Sequence, residues 1–358
     1  MGVIRFLLAL SVLIVHSSPI FGLKLLPGYL AVRSFYIISG FYMAFIFSEK
    51  YAKTDRPIYN FYINRFFRLY PIYLLVVILT LLLSVFLGIF FHHYGSLQTY
   101  IDQYQQNPTS LDSLIMIFVS NFTLIGQDVL SFFSLGDDGR FLFNGLQSEM
   151  AIQGFFFIPI AWTIAVELFF YLITPFIALR TLKFNLAVLA VVLAFRLVLF
   201  VFGDVSKEFM IYRFAPTELF WFLLGVISYK ISFLQMKQYR AVPLLLFFII
   251  IFCLCFYSAM GTDWLILGLV SLSTPSVFKL FEKNKIDRFI GELTYPLYAG
   301  HCLILMIVTA NRFPKNFGIG PPAFLITLLF SILVYKYFQK PIDKWRLKKI
   351  VLDQGNSN

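Results

Sequence analysis

Apolar runs of about twenty residues recur along this 358-residue chain, and no other feature limits its fold as much. Each is long enough to cross the ~30 Å hydrocarbon core of a bilayer as a helix. Hydrophobic residues make up 59% of the chain, charged residues only 13%, and phenylalanine alone occurs 45 times. A soluble domain is nearer about 45–50% apolar and 25% charged, so this chain is not built to face water on most sides. The expected class is an all-α polytopic membrane protein.

Ten spans are expected, at 3–21, 29–48, 69–91, 154–178, 185–202, 216–234, 241–258, 263–278, 290–310 and 321–338. Lysine and arginine gather on the cytoplasmic side of such spans. Five fall in segment 49–68, two in 179–184, three in 230–240, four in 279–289 and six from Lys336 onward, twenty altogether. The opposite segments hold only Lys24, Arg140, Lys207, Arg213, Arg312 and Lys315. The alternation places both termini in the cytoplasm. The net charge of +11 is then largely a topology signal, and no nucleic-acid partner is expected. The first apolar stretch runs almost directly into the second without a small-residue cleavage site, so it reads as a retained helix rather than a signal peptide.

Residues 92–153 form a long outer loop rich in acids. Its stretch "LDSLIMIFVSNFTLIG" reads as a re-entrant or interfacial segment. No internal repeat stands out, so residues 1–345 read as one membrane domain and 346–358 as a short cytoplasmic tail. Cys253, Cys255 and Cys302 all lie in apolar runs, and buried membrane cysteine explains them better than a zinc or redox pair. No metal and no permanently bound cofactor is expected.

Several polar groups lie where hydrocarbon should exclude them. Arg5 and His16, in "RFLLALSVLIVH", are eleven residues apart, which is three helical turns plus about 20°. Both therefore share one face, about 16 Å apart along the axis. Arg5 near a helix end could simply snorkel. His16 reads either as a packed neutral ring or as a proton acceptor lining an aqueous cavity. Glu167, in "WTIAVELFFY", and His301, in "YPLYAGHCLIL", lie at mid-span, where ionisable groups mark function by default. Arg33 opens the second span, and Arg196 sits inside the fifth and calls for an acid that the sequence does not identify. Arg65 and Arg68, three apart, are neighbours on one face at the cytoplasmic entrance. Topology alone would account for them, but arginine forks also suit phosphate oxygens.

Six stretches in order resemble one known family. They are the Arg5–x10–His16 spacing, "FYIISGF" at 35–41, "RFFRLYPIY" at 65–73, "WTIAVELFFYLITP" at 162–175, "LTYPLYAGH" at 293–301 and "KPIDKWR" at 340–346. Together the six motifs resemble those of the membrane acyltransferase-3 family, integral membrane O-acyltransferases that modify bacterial surface sugars among other acceptors. The resemblance implies transfer of an acyl group, commonly acetyl, from cytoplasmic acetyl-CoA to an acceptor that is often extracytoplasmic. It makes His16 the catalytic base or a proton relay, and Arg5, Arg65 and Arg68 the donor-binding set. Trp162 and Glu167 would shape or support the reaction centre, Glu167 counting with His16 as catalytic, and His301 would support it through a looser motif match. Arg33, which departs from the family pattern, stands as a supporting or substrate-binding residue. Many members carry an acid where this chain has Arg33. The orienting role would then pass elsewhere, to Glu167 for instance, or Arg33 would keep His16 neutral or bind an anionic acceptor.

The expected partners are acyl-CoA, membrane lipids and a carbohydrate acceptor such as an O-antigen, capsule or exopolysaccharide unit. The expected location is the bacterial cytoplasmic (inner) membrane. A transporter or flippase using the same charges as a substrate or proton path is the rival reading.

Overall fold

In the computed structural model the described residues are 1–107, 110–136, 138–143, 151–202, 211–235, 263–310 and 318–346. Helices dominate, as the apolar runs require. In order they are α1 (Gly2–His16), α2 (Gly28–Glu49), α3 (Pro57–Phe91), α4 (Gln98–Gln106), α5 (Leu111–Thr123), α6 (Gln127–Leu130), α7 (Ala161–Ile177), α8 (Leu182–Phe202), α9 (Ala215–Gln235), α10 (Asp263–Phe281), α11 (Lys285–Ala310) and α12 (Gly320–Val334). A two-stranded antiparallel ladder, Ser134–Leu135 with Phe141–Leu142, is the strand structure among the described residues.

Among the described residues six stretches are long and apolar enough to cross a membrane: Gly28–Lys53, Pro57–Phe91, Leu182–Val201, Asp263–Phe281, Lys285–Thr309 and Gly320–Arg346. Helices α1, α5 and α7 are apolar but shorter. Large apolar side chains stay exposed along these helices, among them Leu82, Ile89, Phe91, Val191, Phe200, Leu272 and Leu325, all about three-fifths exposed or more. Water would penalise such continuous apolar surface, and lipid would not.

The helices depart from the expected spans in instructive ways. Helix α3 starts twelve residues before the span expected at 69, with Pro57 at its first turn and Pro71 inside it. Proline at the first turn costs nothing, because the N–H it lacks would be unbonded there anyway. The span expected at 154–178 is helical only from Ala161, since residues 152–160 form a short 3₁₀ turn and irregular chain. The span expected at 241–258, with Cys253 and Cys255, lies outside the described residues, as does the tail beyond Arg346.

The chain divides into two compact units. The first comprises Met1–Ile72, Phe170–Val192 and the chain from Leu219 onward. Here α1 and α11 run parallel and are tied at both ends. At the start, Asp287 accepts the backbone N–H groups of Gly2 (2.8 Å) and Val3 (3.0 Å), serving donors that the first helical turn cannot pair itself. At the far end His16 meets His301. Helix α1 stops at His16 because Ser17-Ser18-Pro19 follows, and the residue before a proline disfavours the helical region. Ser18 Oγ then accepts the Gly320 N–H at 2.8 Å, which anchors the exit to the start of α12.

Helices α2 and α9 approach more closely than any side chain would allow. A methyl group on Gly40 would lie 2.0 Å from the Phe222 carbonyl oxygen, and one on Gly225 would lie 1.9 Å from the Ile37 carbonyl oxygen. Small residues at the crossing replace the hydrophobic drive that lipid cannot supply. The glycine of the "IISGF" stretch is thus a packing requirement.

The second unit comprises Tyr73–Phe169 and Leu193–Glu218. The expected outer loop is folded here around Leu114, Ile117, Leu130, Leu135, Ile152, Phe155 and Phe156. Asn121, fully buried, holds the irregular chain before α7: its Nδ2 donates to the Phe155 carbonyl (3.1 Å) and its Oδ1 accepts the Phe157 N–H (2.8 Å). Burial pushes the Asp128 carboxyl above the usual range, against backbone N–H bonds that pull it down. Arg196 finds the acid it needs in Glu218, at 3.2 Å, and also donates to the Thr217 carbonyl at 2.6 Å.

Candidate active site

The first unit brings two of the sequence-derived histidines together. His16 Nδ1 and His301 Nε2 are 3.0 Å apart. Their rings are nearly coplanar, at 9°, with centroids 5.2 Å apart, so they meet end to end rather than face to face. His301 is fully buried, whereas His16 is exposed.

Elementary hydrogen bonding assigns the protons. His301 Nδ1 lies 2.7 Å from the Tyr298 carbonyl oxygen. A carbonyl only accepts, so Nδ1 carries the hydrogen. With both rings neutral, His301 Nε2 holds a lone pair and must accept from His16 Nδ1–H. The remaining lone pair on His16 then sits on Nε2. A backbone carbonyl of α11 thus selects, through His301, the basic tautomer of His16. Cys302 joins them, its Sγ 3.5 Å from His301 Nε2. None of the three cysteines falls on the Arg5–His16 face of α1, but α11 carries this one to its end.

A second polar cluster gathers arginines. Arg68 Nη2 lies 3.4 Å from both oxygens of Glu292, and Gln339 Nε2 donates to Glu292 Oε2 at 2.8 Å. Gln339 reaches it from a π-helical turn, Tyr335–Gln339, that continues α12. The charges of Arg5 and Arg346 also act on Glu292. Arg65 is 7% exposed, donates to Asn64 Oδ1 at 3.2 Å and lies over the rings of Phe61 and Tyr171. Arg346, 6% exposed, donates to the Asn64 carbonyl at 3.3 Å and pairs with Asp343 at 2.7 Å. Both keep a buried Nε–H without a hydrogen-bond partner. Two buried guanidiniums around one asparagine, each with a donor to spare, suit an anion with several acceptor oxygens.

The other sequence-derived residues have surroundings of their own. Arg33 sits over the rings of Tyr29 (5.8 Å) and Trp221 (5.4 Å), and Tyr29 donates to Asp263 at 2.6 Å. Trp162 and Glu167 belong to the second unit, where Trp162 packs under Arg213 at 4.7 Å and beside Tyr212. Sequence reasoning passed over Glu292, Asn64 and Arg346 as site residues. Glu292 could have been found by the rule applied to Glu167, since it is a carboxylate inside an expected span. Asn64 carries no such signal.

Comparison with known proteins identifies the family. The acyltransferase domain family model matches residues 1–336. Proteins of Staphylococcus aureus strains COL, MSSA476 and MRSA252, curated as candidate O-acetyltransferases, are 25% identical over 391 aligned positions. Each alignment covers 97% of this chain and 57% of the relative, so the chain spans little more than half their length. No solved structure matches the chain. With a family match that takes in the histidine pair and most of the arginine cluster, the chain belongs to the acyltransferase domain family.

Proposed function

We propose that this protein is a membrane O-acyltransferase that moves an acyl group, acetyl above all, from cytoplasmic acyl-CoA to a hydroxyl of a cell-surface or lipid-linked carbohydrate. The observation that carries the reading is the 3.0 Å contact between His16 Nδ1 and His301 Nε2, with His301 held by the Tyr298 carbonyl. It puts the His16 lone pair on Nε2, the atom that would take the acceptor's hydroxyl proton.

The step is direct transfer. The hydroxyl oxygen attacks the thioester carbonyl as His16 Nε2 accepts its proton, and the CoA thiolate leaves. His16 becomes an imidazolium, and its bond to His301 becomes charge-assisted, hence stronger as charge develops. Base catalysis of this kind is worth about 10²–10⁴-fold, and positioning supplies much of the rest. The donor's phosphates fit the cluster of Arg65 and Arg346, with Arg5 and Arg68 beside it. Glu292 offsets Arg68, as Asp343 offsets Arg346, and the buried Nε–H groups of Arg65 and Arg346 are the donors that a phosphate would take.

Ten spans with both termini cytoplasmic, in a bacterial inner membrane, remain the topology of this reading. The parallel run of α1 and α11 supports it, because alternation makes both of them odd-numbered spans. Surface glycans from cells with wild type, a deletion and His16→Ala supply the test, by mass spectrometry and NMR. An ester-linked acetyl lost in both altered strains is the expected result. Identical glycans in all three would refute the carbohydrate acceptor and favour transport.

A further inference from the structure

We propose that His16 Nδ1, His301 Nε2 and Cys302 Sγ form a binding site for a zinc-class divalent cation, and that its occupation switches His16 to the tautomer that cannot act as a base. The three ligand atoms lie within 4.8 Å of one another, the sole such group of histidine, cysteine and acid ligands among the described residues. Tetrahedral zinc, with Zn–N about 2.0–2.1 Å and Zn–S about 2.3 Å, sets N···N near ~3.3 Å and N···S near ~3.6 Å. Two of the three separations, His16 Nδ1 to His301 Nε2 and His301 Nε2 to Cys302 Sγ, are 3.0 Å and 3.5 Å, close to those values, and turning each ring by about 35° from its end-to-end alignment aims both nitrogens at one cation.

The surroundings also fit a metal. His301 donates its other ring N–H to the Tyr298 carbonyl, the outer contact that fixes a metal-bound histidine. Two imidazoles and a thiolate favour zinc over magnesium or calcium, which take oxygen ligands. Three protein ligands leave a fourth position for water, and the exposed His16 ring provides the way in.

Binding balances simply. The cation takes the place of the hydrogen between the rings, Cys302 loses its thiol proton to solvent, and the displaced His16 hydrogen moves from Nδ1 to Nε2. With the metal on Nδ1 and hydrogen on Nε2, His16 has no lone pair left to accept a proton. That catalytic consequence rests on the function proposed above. The binding and the tautomer shift do not.

The test uses the purified full chain in lipid nanodiscs with ¹⁵N-labelled histidine, of which there are only four. Zinc is titrated against a chromophoric chelator, with magnesium as the control, and His16→Asn assigns its resonances. The expected result is one zinc per chain and a shift of the His16 hydrogen from Nδ1 to Nε2. Cobalt should give a thiolate-to-metal charge-transfer band, lost in Cys302→Ser together with about tenfold or more of the zinc affinity. Unchanged affinity in Cys302→Ser, or zinc binding that leaves the His16 tautomer as it was, would overturn the proposal. If the tautomer shifts on zinc while the metal-free chain never turns over acyl-CoA, the metal site stands and the transferase reading falls.

Discussion

Replacing His301 with phenylalanine isolates what the second ring does for the first. The substitution keeps an aromatic ring, somewhat larger, at a fully buried position and removes the acceptor 3.0 Å from His16 Nδ1. In the ground state that contact joins two neutral rings, worth about 1 kcal/mol, and in the transition state it joins an imidazolium to a neutral ring, worth about 2–3 kcal/mol. Only the difference, about 1–2 kcal/mol, slows the chemical step, so kcat should fall about 5–30-fold. KM for acetyl-CoA should hardly move, because the arginine cluster is untouched. His16→Ala should cost about 10²–10⁴-fold. The double variant should be no worse than His16→Ala alone, since two residues acting as a unit are not additive. Release of CoA thiol by membranes, with glycan-bound acetyl as product, measures all three. His301→Gln should recover part of the loss through its amide oxygen. Wild-type kcat in His301→Phe, or losses that multiply in the double variant, would refute the tautomer argument.

Three further outcomes follow from contacts elsewhere. Arg65→Gln and Arg346→Gln should each raise KM for acyl-CoA about 10–100-fold with a smaller effect on kcat, as loss of a charge-assisted phosphate contact of about 1.5–3 kcal/mol predicts; equal KM in initial-rate assays would exclude them as donor ligands. Arg196→Met should destabilise the second unit by about 3–5 kcal/mol by leaving Glu218 buried and unpaired, while Arg196→Met with Glu218→Leu should recover most of it, read by thermal unfolding in detergent. Gly225→Ala should cost about 1–3 kcal/mol or prevent assembly, because the added methyl meets the Ile37 carbonyl oxygen; an unchanged melting curve would show that α2 and α9 can separate freely.

Much of the helical framework is legible in the apolar pattern. Helices α2 and α9 begin within one residue of their expected spans, and Asp263 opens α10 at the expected position. The start of α3 is not legible, because Asn60, Asn64, Arg65 and Arg68 give it the look of a loop. Asn64, Arg65 and Arg68 are polar because they build the arginine cluster, and Asn60 because it donates to Thr54 Oγ1, reasons that appear only in three dimensions. At 154–160 the error runs the other way: an apolar run is held irregular by Asn121, more than thirty residues upstream. The histidine pair shows the same limit. Spacing put Arg5 and His16 on one face, yet nothing local announces that His301, 285 residues away, sets the tautomer of His16.

The two ends of α1 also measure its length. Fourteen residues separate Gly2 from His16, and fourteen separate Asp287 from His301, so two parallel rods are pinned at matching rungs about 21 Å apart. One residue inserted into α1 between its pins would turn His16 by about 100° and carry it 1.5 Å further, off the His301 ring. A seven-residue insertion nearly restores the facing side but overshoots by about 10 Å. Only an equal insertion in α11 would bring the rings back, so the spacing within α1 and the spacing within α11 can change only together.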